Sequence, residues 1–191
     1  MHSSPQDVLH FWFGTPGSAE QGSTRPLWFT KSDATDALIS ARFGDTVEAG
    51  LRGELDHWGQ DVQGALALIV LLDQFTRNMF RETPRAFAGD AAALALAQRL
   101  VDAGLDQQLS LHERWFAYMP FEHAESLPAQ ERSVALFQRL ADDGLPEPLD
   151  WAVKHRDVIA RFGRFPHRNA TLGRASTVDE AAFLLQPGSR F

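Results

Sequence analysis

GALALIVLLDQFTRNMFR, residues 64–81, holds the longest apolar run of the chain and ends on a cluster of polar and basic residues. Its first part, ALALIVLL (65–72), is apolar on every side, which suits the central element of a helical bundle. A buried strand is the competing reading, but the length and the Ala/Leu content favour a helix, from about Asp61 to Asn78. The apolar run stops at Asp73, far short of the roughly 20 residues a membrane span needs.

Working outward from that helix, punctuation by cap and stop residues predicts more of the same kind. Ser4-Pro5 opens a short helix that Gly14 ends. Residues 15–30 form a loop rich in Gly, Ser and Pro, anchored by Leu27, Trp28 and Phe29. Asp33 caps a helix to about Ala49, with Leu38, Ile39, Phe43 and Val47 as its stripe. Downstream, Asp90 caps a helix that Gly104 ends, and Ser110 with Glu113 forms a capping box before a helix reaching Pro120. Pro128 opens another, Asp150 caps one closed by Gly163, and Thr177 with Glu180 boxes the last. The spacings are irregular, so no sequence repeat is read. Short loops predict antiparallel helix pairs, and little alternates with a period of two. The expectation is an all-α fold forming a single domain over 1–191.

The chain has 191 residues and no cysteine, which removes disulfides, thiolate nucleophiles and cysteine zinc sites and fits a reducing, cytoplasmic setting. The N-terminus lacks a basic region and a long apolar core, so it reads as no signal peptide and the chain as soluble, off the membrane. The net charge of −7 argues against nucleic-acid binding. It is unevenly spread. Residues 154–174 hold six basic groups and one acid, a net of +5, leaving about −12 for the rest. Such a segment signals internal ion pairing or a local anion site. No nucleophile elbow, phosphate-binding loop, dinucleotide-binding glycine pattern or HExxH is present.

Three segments hold polar groups that helix building leaves unexplained. In 71–81, Leu66, Ile69, Asp73 and Arg77 share one helical face, placing Asp73 near the core. An Asp73–Arg77 pair at i,i+4 is one reading. The other has Asp73 orienting Arg77 while Gln74, Asn78 and Arg81 help line a pocket. In 121–126, Glu122, His123 and Glu125 fall in a turn after Pro120, either solvated or holding a raised-pKa base or a metal ligand. In 155–174, Trp151, His155, Ile159 and Phe162 share a face, so His155 reads as packed, and Asp157 pairs with Arg161. Arg164, His167, Arg168 and Asn169 follow at the helix end, where positive groups complement its dipole. They exceed what one cap needs and point to an anion site.

The strings VLHFWFG, GALALIVLLDQFTRNMFR, TPRAFAGDAAALALA, YMPFEHAES, QERSVALF and HRDVIARFGRFPHRN, in this order, closely resemble the bacterial domain of unknown function 924 family, from about Val8 to Phe191. Thr76 and Glu122 depart from it, standing where proline and methionine or a similar residue are expected. The resemblance implies helical hairpins stacked as in tetratricopeptide-repeat domains, and it implies no activity, cofactor or assigned site.

Three functional expectations follow. The first is a polar groove taking a small anionic ligand or peptide. Its lining would be Asp73, Gln74, Arg77, Asn78, Arg81, His123, Glu125, Arg164, His167, Arg168 and Asn169, with Trp58, Phe80 and Phe165. The second is a small-molecule hydrolase or metal-assisted enzyme using Asp73, His123, Glu125, His155 or His167. The third is a polar network that only ties helices together. No cofactor and no resident metal is expected, and a homo-oligomer stays open.

Overall fold

The computed structural model describes residues 2–189, so the outermost residues of the expected domain and of the resemblance lie outside it. Among the described residues all regular structure is helical and no strand occurs. The main helices are α1 (Pro5–Phe13), α2 (Asp33–Leu51), α3 (Val62–Ile69), α4 (Thr76–Met79), α5 (Asp90–Asp102), α6 (Leu111–His123), α7 (Leu127–Asp142), α8 (Leu149–Phe162) and α9 (Val178–Leu184). No helix among the described residues is long and apolar enough to cross a membrane.

The segment expected as one central helix is two α-helices joined by a π-helical turn, Val70–Phe75. Everything from Ala65 to Phe75 is buried; the all-round apolar character of 65–72 requires it, and Asp73 and Gln74 are carried in with it. π-turns are rare and cluster at functional sites. This one carries Asp73, fully shielded from solvent.

The capping boxes at Ser110 and Thr177 form as the sequence indicates, and Ser4, read only as a cap, also forms a box with Asp7. Three aspartates leave the cap position, Asp33 and Asp90 by one place and Asp150 by two. Asp33, Asp90 and Asp150 are helical residues, and Ser32, Gly89 and Pro148 hold the cap positions. Only Ser32 gives a side-chain cap. The 15–30 loop is packed: Arg25 donates to the carbonyls of Phe11 (2.5 Å) and Trp12 (2.8 Å), and the Trp28 indole donates to Trp12 O at 2.8 Å.

Pro120 does not stop α6. The helix runs through it to His123. Its exposed last carbonyls are met from α7, where Gln130 Nε2 donates to Glu122 O at 2.6 Å and Ala124 O at 2.8 Å. Glu122 and His123 are thus on a held helical turn.

Gly89 explains how α5 approaches the π-turn. A Cβ there would lie 2.2 Å from Leu72 O, so only glycine lets the start of α5 seat against that backbone and bring Asp90 to Arg77. Gly44, inside α2, has room: a Cβ would meet only the Met79 methyl at 3.6 Å. Gly89→Ala is expected to destabilise by about 1–3 kcal/mol through forced backbone movement. Gly44→Ala should stabilise by up to about 1 kcal/mol through helix propensity. Urea unfolding of the two variants checks this, and equal effects would contradict it.

Candidate functional site

Five segments meet around Asp73. His123, from the end of α6, places Nδ1 2.7 Å from Asp73 Oδ1 and 3.0 Å from Oδ2. Gln74 donates to Asp73 Oδ2 at 2.5 Å. Arg77 donates to Asp73 O at 2.6 Å and Oδ1 at 3.2 Å, and forks onto both oxygens of Asp90 at 2.8 and 3.0 Å. Arg168, beyond α8, reaches the same Asp90 at 3.4 Å. Its guanidinium lies over the rings of Phe87 (4.7 Å) and Phe165 (4.5 Å). His155 on α8 sits 6.2 Å, ring to ring, from His123.

Burial sets the protonation here. It would push the Asp73 carboxyl up, but the charges of Arg77 and His123, with hydrogen bonds from His123 and Gln74, hold it far below the usual carboxylate range. Asp73 is therefore an anion and accepts the Nδ1 proton of His123. For His123, burial outweighs the pull of Asp73 and lowers its pKa, so the ring is neutral and its Nε2 is a bare acceptor. Burial, then the Arg168 charge, takes His167 down to about 4. Burial and the neighbouring Arg77 lower Arg168 to about 10, which still leaves it cationic.

A second acid lies directly behind. Glu122 is buried and raised to about 8, first by burial and then by the Asp73 charge. Its Oε1 is 3.1 Å from His155 Nδ1, which also approaches Trp151 O at 2.8 Å. A carbonyl only accepts, so His155 Nδ1 carries the proton. Burial takes His155 down to about 3, so the two side chains lie side by side uncharged rather than as an ion pair at neutral pH.

The other expected site residues are placed elsewhere or spent on structure. Asn78 and Arg81 turn to α2, where Asn78 donates to Asp36 at 2.7 Å and Arg81 forks onto the same carboxylate. Arg164 forks onto Glu180 at 2.7 and 2.9 Å, and Asn169 donates to Ser176 at 3.1 Å, tying down α9. Glu125 accepts from Arg174 at 2.6 and 2.8 Å and from Phe165 N at 2.8 Å, so it anchors the turn that carries Arg168. Of the aromatics, Phe165 joins the cluster. Trp58 is core, and Phe80 lies under Arg85 at 4.0 Å. Asp157 pairs with Arg156 at 2.6 Å, not with Arg161, whose guanidinium lies over Phe162 and Phe183.

Residues that the sequence reading missed are Asp90, taken for a cap, Phe87, and Glu122, taken for part of a turn. Continuing the Trp115–Met119 stripe by three residues lands on Glu122, a signal hidden by reading Pro120 as a stop.

The fold and this cluster define an all-helical protein with a buried Asp–His–Arg centre. The chain belongs to the domain of unknown function 924 family, described as a bacterial protein of unknown function, whose model matches residues 8–188. A solved structure of a protein of unknown function from Agrobacterium tumefaciens is similar to it, with 39% identity, a TM-score of 0.83, and coverage of 95% of this chain and 96% of that one. No curated protein matches the chain.

The raised Glu122 carboxyl gives a pH test. Its folded value, about 8, lies above the ordinary 4.5, so between these values the folded state holds a proton that the unfolded state has lost. Glu122 therefore subtracts stability increasingly as pH rises from 4.5 to 8. Glu122→Gln should leave Tm nearly unchanged at the low end and raise it progressively toward pH 8. A Tm difference independent of pH over that window would contradict the assignment.

Proposed function

We propose that the cluster around Asp73, His123 and Arg168 binds a small anionic ligand. The observation that carries this is Arg168. Its side chain is 7% exposed, its contact to Asp90 is long, and its Nε is buried with no hydrogen-bond acceptor among the described residues. Leaving a buried charged donor unpaired costs about 1–3 kcal/mol or more, which an incoming anion would recover. Arg77, Arg164 and Arg174, by contrast, are each matched by a carboxylate fork. Guanidinium edges are well shaped for carboxylate or phosphate.

His123 supplies the second contact. With Nδ1–H held by Asp73, the half-buried ring offers Nε2 as an acceptor to a hydroxyl or amine on the ligand. The same arrangement would orient a general base, because an aspartate behind a histidine fixes its tautomer. Acid–base catalysis on the bound anion is therefore the second reading. Glu125, assigned here to structure, drops out of it, while His155 and His167 stay near the base as neutral rings.

Thermal unfolding with added acetate or inorganic phosphate, at constant ionic strength, tests the binding reading. Saturating anion should raise Tm by roughly 2–4 °C for each kcal/mol of linkage. Arg168→Gln should abolish the response, whereas Arg164→Ala should lower the baseline Tm and keep the response. An equal response in wild type and Arg168→Gln would contradict the site. Turnover of a hydrolysable carboxylate ester that His123→Asn eliminates would favour the second reading.

A further inference from the structure

Resting on the anion-site reading above, we infer that the ligand is a monocarboxylate bearing an apolar group. Three features point there. The first is charge. Arg77 and Arg168 face the carboxylates of Asp73 and Asp90, so the cationic and anionic side chains of the cluster already balance. The buried residues around them add no further cation, since Glu122 is protonated and His123, His155 and His167 are neutral at pH 7. One incoming negative charge can pair with the unused edge of Arg168. A second would lie against Asp73 and Asp90 in a dry setting with no cation to meet it, which is costly. That disfavours a phosphate dianion.

The second feature is shape. Nη1 of Arg168 is directed at Asp90, and the rings of Phe87 and Phe165 pack on the guanidinium. What remains is the edge bearing Nε, which has no acceptor. A flat, two-oxygen group lying in the guanidinium plane fits such an edge. The third feature is the wall. Phe165 is buried but Phe87 is half-buried, so an aromatic surface continues from the guanidinium toward solvent. A substituent on the carboxylate that packs there gains hydrophobic burial, which a bare anion does not.

Isothermal titration of the full chain at pH 7 and fixed ionic strength, with benzoate, acetate and inorganic phosphate, tests this. Benzoate is expected to bind tighter than acetate, and phosphate about tenfold or more weaker than benzoate. Arg168→Lys keeps the charge but loses the planar edge, and should weaken benzoate about tenfold. Should that variant fail to fold by circular dichroism, Phe87→Ala serves instead: it should erase the preference for benzoate over acetate and leave acetate binding in place. Phosphate binding as tightly as benzoate, or a benzoate preference that survives Phe87→Ala, would overturn the ligand class while the anion site stood. Absence of binding by all three anions would overturn both.

Discussion

A carboxylate removed from water constrains everything near it. Moved alone into a protein interior, an ion of this size costs several kcal/mol even after relaxation. Asp73 sits fully buried on the π-turn and remains ionised because His123, Gln74 and Arg77 converge on it. That convergence fixes where α6 must end, why the helix continues past Pro120, and why Gln130 must cover its last carbonyls. It also fixes α5, whose start must come close enough for Asp90 to hold the far side of Arg77. Gly89 makes that approach sterically possible.

The basic segment 154–174 resolves into two uses. Arg164 and Arg174 are staples: the first holds Glu180 at the foot of α9, the second holds Glu125 just past α6. Together they lock the turn after α8 against the rest of the molecule. Arg168 projects from that locked turn into the cluster and is the member left incompletely matched. The expectation of a polar network is met by Arg164 and Arg174, and the proposed anion site rests on Arg168, a different residue. Of the other basic groups, Arg156 pairs with its neighbour Asp157, while Lys154 and Arg161 lie over the rings of Trp151 and Phe162.

How much of this was legible in the sequence differs by level. The helices were legible because apolar periodicity and cap residues are local signals, and the length and Ala/Leu content of the run from Ala65 to Leu72 decided against a buried strand. The burial of Asp73 followed from its place on the apolar face, and that of His155 from its spacing with Ile159, whereas Trp151, read onto the same face, is exposed over Lys154. The π-turn was hidden, since no residue pattern marks a one-residue expansion of a helix. Asn78 and Arg81 were grouped with Asp73 by proximity in sequence, but they leave the helix toward Asp36 on α2. Asp90 looked like an ordinary helix start because its role exists only once Arg77 arrives from a distant segment. Glu122 was misplaced by treating a proline as a helix end where tertiary capping overrides it.

The account stands or falls on His123 being a neutral ring, protonated at Nδ1 against the Asp73 carboxylate and bare at Nε2. Nitrogen-15 NMR of the histidine side chains at pH 7 measures this directly. The account expects a Nδ1–H signal for His123, an unprotonated Nε2, and loss of that tautomer preference in Asp73→Asn. A His123 ring protonated at Nε2 alone in the wild-type protein would contradict it.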